Sequence, residues 1–206
     1  MKKLTLQERF TDLLGRFTND TTLISSLWKS IETKYTEKHR TYHNLTHLKE
    51  LFSYFDDYKT HLKQPDLVAF SIFYHDIIYN IWKKDNEEKS ADFALEVLSS
   101  LLPELSLEII KEQIIATKTH ESEHLDSQYL IDFDLAILGQ SSEVYQQYSK
   151  LIRTEYKLVP NLLYKQGRKK VLQHFIDKPF IYKTDSFIEK FEQQAKTNLQ
   201  NELNYL

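Results

Sequence analysis

Glycine and proline, the residues that most often interrupt a helix, are scarce in this sequence: three glycines and four prolines stand among 206 residues. A chain with so few breakers can form long helices, and its apolar residues recur at helical spacing, as Leu6, Phe10 and Leu13 do. No segment alternates between apolar and polar residues as a half-buried strand does. The sequence therefore predicts an all-α fold, a single domain over residues 1–206 built as a bundle of roughly ten helices.

One segment, LVAFSIFYHDIIY at residues 67–79, is apolar almost all round, which is typical of a helix at the centre of a bundle. A buried strand is the alternative, but the run is too long for a typical strand and follows Pro65 and Asp66, a helix-start signal. The segment carries two ionisable residues, His75 and Asp76, which we expect in the middle of that helix. A buried charge needs a partner, so the pair indicates either a bound divalent cation or a structural hydrogen-bonded pair.

The chain has no cysteine, which excludes a thiolate nucleophile, an iron–sulfur cluster and a cysteine-ligated zinc ion. Its three glycines are too scattered to form a phosphate-cradling loop or a dinucleotide fingerprint. Any metal site must therefore draw on ligands such as histidine and carboxylate side chains. With 27 Lys and Arg against 30 Asp and Glu, the net charge of −3 argues against an extended nucleic acid as the partner.

No run of about 18 apolar residues is present, so we expect a cytoplasmic protein with no membrane partner. Aromatic residues make up 13% of the sequence, which argues for a real core and against disorder. Those near the C-terminus either belong to that core or form the surface of a homodimer: Phe175, Phe180, Tyr182, Phe187 and Phe191.

Two pairs of histidines show the i, i+4 spacing that places both rings on one helix face. His43 and His47 form the first pair. Asn44 is the better helix cap, so His43 would lie just outside the helix and His47 is the favoured ligand. His120 and His124 form the second pair, and the glutamates between them make a solvated helix end an equally good interpretation.

Two aspartates flank Phe133 in the apolar stretch YLIDFDLAILG. Residues two apart on a helix point about 200° away from each other, so Asp132 and Asp134 cannot readily face one site together. One of them should be a metal ligand, and the other a cap or a hydrogen-bonding partner of a ligand.

In chain order, a histidine at a helix start, a His-Asp pair, a later histidine and a final aspartate resemble the pattern of the HD superfamily of metal-dependent phosphohydrolases. More narrowly, the sequence resembles the bacterial subfamily of uncharacterised predicted HD phosphohydrolases. The core that carries the matching strings covers residues 40–168. The strings are RTYHNLTH (40–47), FYHDIIYN (73–80), NEEKSA (86–91), IATKTH (115–120), DFDLAILG (132–139), IRTEY (152–156) and GR (167–168).

The resemblance implies an HD-type helical bundle that binds one divalent metal ion. Asp134 is preferred over Asp132 as a ligand because it directly precedes a short apolar segment. Imidazole and carboxylate ligands suit Mn²⁺, Fe²⁺, Co²⁺, Ni²⁺ or Zn²⁺ and tolerate Mg²⁺, so the identity of the metal stays open. The ligands that the resemblance implies are His47, His75, Asp76 and Asp134.

The resemblance also implies roles in catalysis. Asp76 would both bind the metal and orient a water molecule, and Glu87 would act as general base or acid. The alternative for Glu87 is a first-turn carboxylate that only stabilises the start of its helix. His120 would protonate the leaving group or, with His124, hold a second metal ion, and a single metal ion is preferred.

We expect a metal-dependent phosphohydrolase that uses a metal-activated water to cleave a phosphomonoester or phosphodiester of a nucleotide or another small metabolite. The alternative is a non-catalytic HD domain that senses a nucleotide or has a structural role. A phosphorylated substrate needs cationic or imidazole contacts. Five candidates lie in or beside the matching strings: Arg40, His43, Lys118, Arg153 and Arg168.

Overall fold

A computed structural model describes residues 4–206, and within this range the chain is helical, with no β-strand. Ten α-helices lie among these residues, which confirms the predicted all-α fold and number of helices. None of the helices in the described range is both long and apolar enough to cross a membrane. Short 3₁₀ segments cover Lys59–His61 and Ala136–Gly139. The helices run over Leu6–Leu14 (α1), Thr21–Tyr35 (α2), Leu45–Tyr58 (α3), Pro65–Tyr74 (α4), Asn86–Leu98 (α5), Glu104–Thr119 (α6), Leu125–Leu135 (α7), Ser142–Glu155 (α8), Asn161–Asp177 (α9) and Asp185–Tyr205 (α10).

The chain divides into two compact units, one that ends at Leu130 and one that covers Ile131–Leu206. The boundary between them falls within α7. Residues 1–3 lie outside the described part of the chain, so the first unit is described from Leu4 onward. The predicted single domain over residues 1–206 stays a prediction.

The first unit is built around α4, whose residues 67–74 are all buried. Because this helix has no polar face, it must be covered on every side, and α3, α5 and α6 pack against it. Phe73 shows this packing: its ring centroid lies 4.6 Å from that of Phe52 on α3 and 5.1 Å from that of Phe10 on α1. Aromatic pairs at such distances add to the stabilisation that buried area provides. The predicted central helix is therefore confirmed.

The prediction that α4 continues through His75 and Asp76 is wrong, because the helix ends at Tyr74 and His75 is its C-cap residue. The carbonyl groups of Asp76 and Ile77 accept hydrogen bonds from the guanidinium group of Arg40. A side chain from outside the helix thus pairs backbone groups that a longer helix would pair internally. The His-Asp pair therefore lies at the end of the helix, where helical spacing does not fix the directions of both side chains.

The second unit packs α8, α9 and α10 together with the 3₁₀ segment Ala136–Gly139, which lies against α8 and α10. Four of the five C-terminal aromatic side chains are buried in its core, and Phe180 is 55% exposed. Phe187 is central to this core, with ring centroids 5.8 Å from Phe133 and 5.4 Å from Phe191. These aromatic residues therefore belong mainly to the core, and the homodimer stays a prediction.

Gly139 ends the 3₁₀ segment and lies against Phe191 of α10. A Cβ atom at this position would lie 2.6 Å from the Cβ of Phe191 and 2.8 Å from the hydroxyl oxygen of Tyr182. Both distances are too short for non-bonded atoms, so the close approach depends on a residue without a side chain.

We predict that Gly139→Ala lowers the free energy of unfolding by about 1–3 kcal/mol, because the added methyl group overpacks this contact. Urea denaturation followed by circular dichroism measures the change. Gly167→Ala is the matched control, because nothing lies within 4 Å of a Cβ added at Gly167 on α9. Alanine there should raise the free energy of unfolding by roughly 0.5–1 kcal/mol through its helix propensity. Equal effects at the two glycines would contradict the packing argument.

Candidate metal centre

The first candidate ligand, His47, lies in the first turn of α3. Asn44 caps this helix, and its side-chain oxygen accepts a hydrogen bond of 2.7 Å from the N–H of Thr46. The cap confirms that His43 precedes the helix and that His47 belongs to it. The His47 side chain is 1% exposed, so its imidazole is fixed in the interior of the first unit.

His75 directly follows α4, and the end of that helix orients its ring. Nδ1 lies 2.9 Å from the carbonyl oxygen of Ile72 and donates a hydrogen bond to it, so that Nε2 faces His47 and Asp76. Metal-binding histidines are commonly held in this way, with one nitrogen donating to a carbonyl group and the other bound to the metal. The His75 side chain is also 1% exposed.

Three polar atoms of the first unit meet beside this ring. His75 Nε2 lies 3.3 Å from His47 Nε2 and 3.2 Å from Asp76 Oδ2, and His47 Nε2 lies 3.8 Å from the same carboxylate oxygen. Two ligands bound at about 2.0–2.1 Å to one tetrahedral ion are about 3.3 Å apart. The three separations are therefore close to those between neighbouring ligands of one ion. This group could hold a metal ion, and its ligand types leave the identity of the metal open.

The carboxylate of Asp76 is ionised in its place at this centre. Burial raises the pKa of the carboxyl group, but the imidazoles of His75, His43 and His47 lower it by more, so that the pKa lies well below its ordinary range. The side chain is 15% exposed, so it is reachable from solvent. An ionised carboxylate is the form that binds a metal ion.

Two side chains that sequence analysis does not single out hold the segment after α4. The N–H of Asp76 donates to the hydroxyl of Tyr35 at 3.2 Å, and the N–H of Ile78 donates to Ser90 Oγ at 3.1 Å. Ser90 lies on α5 within the matching string NEEKSA, and that position is a signal that could have found it. Tyr35 lies on the buried face of α2, where its spacing looks like that of any core residue.

Arg40 makes the most extensive contacts to the same segment. Its guanidinium group donates to the carbonyl oxygens of Asp76 at 2.6 Å and Ile77 at 3.0 Å. Its Nε donates to the carboxylate of Glu37 at 3.0 Å, and the side chain has no exposed surface. Arg40 therefore fixes the backbone that carries Asp76. Its guanidinium group is used within the chain, and its predicted contact with a substrate phosphate stays a prediction.

Glu87 lies in the first turn of α5 and is half-buried. Burial raises the pKa of its carboxyl group, and the negative charge of Asp76 raises the pKa further. Both effects bring the pKa closer to neutrality, where a general acid or base is most effective. The catalytic role of Glu87 stays a prediction.

His120 is the C-cap residue of α6 and adopts a left-handed backbone conformation with φ 53°. Among the described residues, it is the only one with a positive φ. This conformation costs roughly 1–2 kcal/mol in a residue with a Cβ atom, and such strain clusters at functional positions. His124 is exposed and precedes α7, so the two histidines do not share one helix face as their spacing predicts.

Asp132 and Asp134 lie on α7 in the second unit, and Asp132 has a structural role there. Its carboxylate is fully buried and accepts hydrogen bonds from the N–H of Thr184 at 2.8 Å and from its hydroxyl at 2.7 Å, at the start of α10. Burial, partly offset by these bonds, raises the pKa of Asp132 to about 6. Asp134 is half-buried. Its role as a metal ligand stays a prediction.

Two of the predicted phosphate contacts in the first unit have partners within the protein. His43 stacks on Tyr79, with ring centroids 4.4 Å apart. Lys118 on α6 donates from Nζ to the carbonyl oxygen of Lys84 at 2.6 Å and pairs with the carboxylate of Glu88. Lys118 therefore joins α6 to the start of α5 and the loop before it. The phosphate contacts of both residues stay predictions.

The remaining predicted phosphate contacts, Arg153 and Arg168, lie in the second unit. Arg168 on α9 pairs with both carboxylate oxygens of Glu202 on α10, at 2.8 and 2.9 Å. Arg153 on α8 lies over the ring of Tyr164, 4.6 Å from its centroid, and donates to the carbonyl oxygen of Tyr156 at 2.7 Å. Both guanidinium groups join elements of this unit, and their phosphate contacts stay predictions.

Comparison with known proteins gives no relative: no family model matches the chain, and no curated protein or solved structure is significantly similar to it. The resemblance to the HD superfamily therefore rests on the sequence strings. The fold and the site describe an all-α protein whose first unit brings together His47, His75 and Asp76, a group that could hold a metal ion.

We predict that Arg40→Ala lowers the free energy of unfolding by about 2–4 kcal/mol, because two buried carbonyl groups lose their donor and each unpaired group costs roughly 1–3 kcal/mol. Arg40→Lys keeps the charge but has fewer donors, and it should lose less. Arg16→Ala is the control, because Arg16 is mostly exposed and its pair with Asp66 should be worth less than about 1 kcal/mol. Urea denaturation measures all three variants. Equal losses for the two alanine variants would argue against the role of Arg40.

Proposed function

We propose that the chain is a metal-dependent phosphohydrolase of the HD type. The observation that carries the proposal is the meeting of His47 Nε2, His75 Nε2 and Asp76 Oδ2, at separations of 3.2–3.8 Å, inside the first unit. Asp134 is proposed as a further ligand from its place in the sequence pattern. These ligand types fit one divalent ion among Mn²⁺, Mg²⁺, Fe²⁺, Co²⁺, Ni²⁺ and Zn²⁺.

A divalent ion held by these residues supplies Lewis acidity at a phosphoryl oxygen and lowers the pKa of a water molecule. The chain's own contribution is to fix the ligands before a substrate binds. Arg40 holds the backbone of Asp76, and the carbonyl group of Ile72 holds the ring of His75. Catalytic groups need such support, because a small displacement of a reacting group costs a large part of the rate.

The proposed proton transfers use three side chains. Asp76 orients the attacking water, and Glu87 accepts one of its protons as the new oxygen–phosphorus bond forms. The raised pKa of Glu87 suits this role. His120 donates a proton to the leaving oxygen as its bond to phosphorus breaks. One water molecule is consumed, and the leaving group departs as an alcohol or hydroxyl group.

The proposed substrate is a small phosphorylated metabolite such as a nucleotide. The net charge of −3 favours a small substrate over a long nucleic acid, which would require a strongly basic surface. His43 is proposed to contact the phosphate group, because its ring lies beside that of His47, with centroids 5.6 Å apart. A phosphomonoester and a phosphodiester both fit the proposal, and the hydrolysis assay below distinguishes them.

We predict that the purified protein binds one equivalent of a divalent ion and that loss of a ligand weakens binding more than 10-fold. Loss of a group that only orients a ligand already costs about 10–100-fold. Calorimetric titration of metal-free protein with Mn²⁺ or Zn²⁺ measures the affinity. His124→Gln is the control, because this exposed histidine should leave the affinity unchanged. The ligand variants are His47→Gln, His75→Gln, Asp76→Asn and Asp134→Asn.

The same preparations test hydrolysis. With added Mn²⁺, the wild-type protein should release nitrophenol from p-nitrophenyl phosphate or from bis(p-nitrophenyl) phosphate, which report monoesterase and diesterase activity. Asp76→Asn should lower kcat by at least about 100-fold at saturating metal. Metal binding without hydrolysis of these esters or of nucleotides would favour the non-catalytic alternative. A protein that binds no divalent ion would refute the proposed centre.

We predict that Glu87→Gln lowers kcat by about 10²–10⁴-fold while metal affinity stays unchanged, because proton transfer by a positioned group contributes about this much. The pH dependence of kcat should also lose the limb that Glu87 supplies. Glu96→Gln is the matched control, since Glu96 lies exposed on the same helix, α5. An unchanged kcat in Glu87→Gln would contradict a catalytic role and would favour the alternative, in which Glu87 only stabilises the start of α5.

A further inference from the structure

The first unit contains a cavity of about 330 Å³ between the start of α4, one face of α6 and the start of α7. None of the proposed metal ligands lines it. Its floor consists of side chains that are almost fully buried: Gln113 is 2% exposed, Ser127 3% and Asp126 8%. Its exposed polar rim consists of Lys63, Gln64, Glu112, Glu123 and His124.

Gln113 offers an unused hydrogen-bonding group at this floor. Its amide oxygen accepts a hydrogen bond of 2.7 Å from Ser71 Oγ, and this is the one hydrogen bond of its side chain among the described residues. The amide nitrogen carries two further donors. This nitrogen is not among the fully buried side-chain atoms that lack a partner, so it reaches the cavity that Gln113 lines, where a ligand with an acceptor can meet it.

Ser127 adds a second unused group, because its hydroxyl makes no hydrogen bond to any described residue. Asp126 differs from both. Its two carboxylate oxygens accept hydrogen bonds of 2.8 Å from the N–H groups of Lys63 and Gln64, just before α4. The floor therefore presents an amide and a hydroxyl to a ligand, and both are uncharged.

A groove of similar volume, about 350 Å³, lies in the second unit and lacks this property. Asn198 in that groove donates to the carbonyl oxygens of Leu138 and Gln140, both at 2.8 Å. Glu202 in the same groove is held on both oxygens by Arg168. Volume alone therefore does not distinguish the cavity of the first unit from the groove of the second. The buried, unused hydrogen-bonding groups are what distinguish the cavity of the first unit.

The charges of the rim restrict which ligand fits. Glu112 and Glu123 carry negative charge, and among the described residues Lys63 is the one lysine or arginine that lines the cavity. Such a rim disfavours a phosphate group through charge repulsion. Ile109 and Leu125 supply apolar surface. A cavity of this size is within the range that binds small molecules, and amide and hydroxyl groups pair with the edges of nucleobases.

We propose that this cavity binds an uncharged nucleobase, carried as a nucleoside without phosphate. The base lies between the apolar side chains, with an acceptor on its edge bound by the amide of Gln113 and a second polar atom bound by the hydroxyl of Ser127. The site is independent of the metal centre and of hydrolysis.

Calorimetric titration of the full chain in EDTA with adenosine, guanosine, cytidine and uridine tests the proposal. At least one nucleoside should bind with a Kd below about 1 mM, and its 5′-monophosphate should bind at least 10-fold more weakly. Ser127→Ala and Gln113→Leu should each weaken nucleoside binding by about 5–10-fold, the effect of one lost hydrogen bond. Gln146→Ala, in the groove of the second unit, and Asp76→Asn, at the metal centre, should leave it unchanged.

Gln113→Leu also breaks the bond to Ser71, so the unfolding midpoint of each variant is measured alongside its affinity. Ser127→Ala removes a single oxygen atom and keeps the test valid if Gln113→Leu does not fold. Loss of binding in Asp76→Asn with retention in Ser127→Ala would assign the nucleoside to the metal centre and overturn the proposal. Absence of binding by all four nucleosides, or equal affinity for a nucleoside and its monophosphate, would overturn it as well. Failure of the hydrolysis assay leaves it intact.

Discussion

The candidate metal centre depends on the hydrogen bonds that the buried guanidinium group of Arg40 donates. A cation without exposed surface is tolerated only where its donors meet acceptors. Here the carbonyl groups of Asp76 and Ile77 and the carboxylate of Glu37 accept them, and the ring of Tyr35 lies 5.1 Å from the cation. The same bonds pair the backbone after α4 outside the helix. The position of Asp76 and the end of the central helix therefore have one cause.

Local signals predict most of the fold but not this helix end. Asn44 predicts the start of α3 correctly because capping acts within three residues, and the apolar run predicts α4 because a helix without a polar face must be central. The end of α4 depends on Arg40, which lies 36 residues from the Asp76 carbonyl group that it holds, and on Ser90 in a later helix. A tertiary hydrogen bond of this kind overrides local propensity, and no short window of sequence contains it.

The candidate ligands are more predictable than the groups around them. His47, His75 and Asp76 meet as their residue types and order indicate, since buried histidine and carboxylate side chains need polar partners. The arginines are harder to assign, because a guanidinium group that joins two helices looks the same in sequence as one that binds phosphate. Arg168, for example, pairs with Glu202, 34 residues away. The tertiary packing of the chain determines which acceptor an arginine side chain binds.

The end of α4 also affects the electrostatic field at the candidate metal centre. The aligned peptide groups of a helix leave a partial negative charge of about half a unit at its C-terminus. His75 is the C-cap of this ten-residue, buried helix, and the carbonyl of Ile72 in its last turn faces the ring. The His75 side chain is 1% exposed, so solvent screens that field weakly and the backbone itself favours a positive charge beside Asp76. Under the proposed function, a phosphate group would meet this negative helix end unless a cation were bound first, which predicts an order of binding: cation first, anion second.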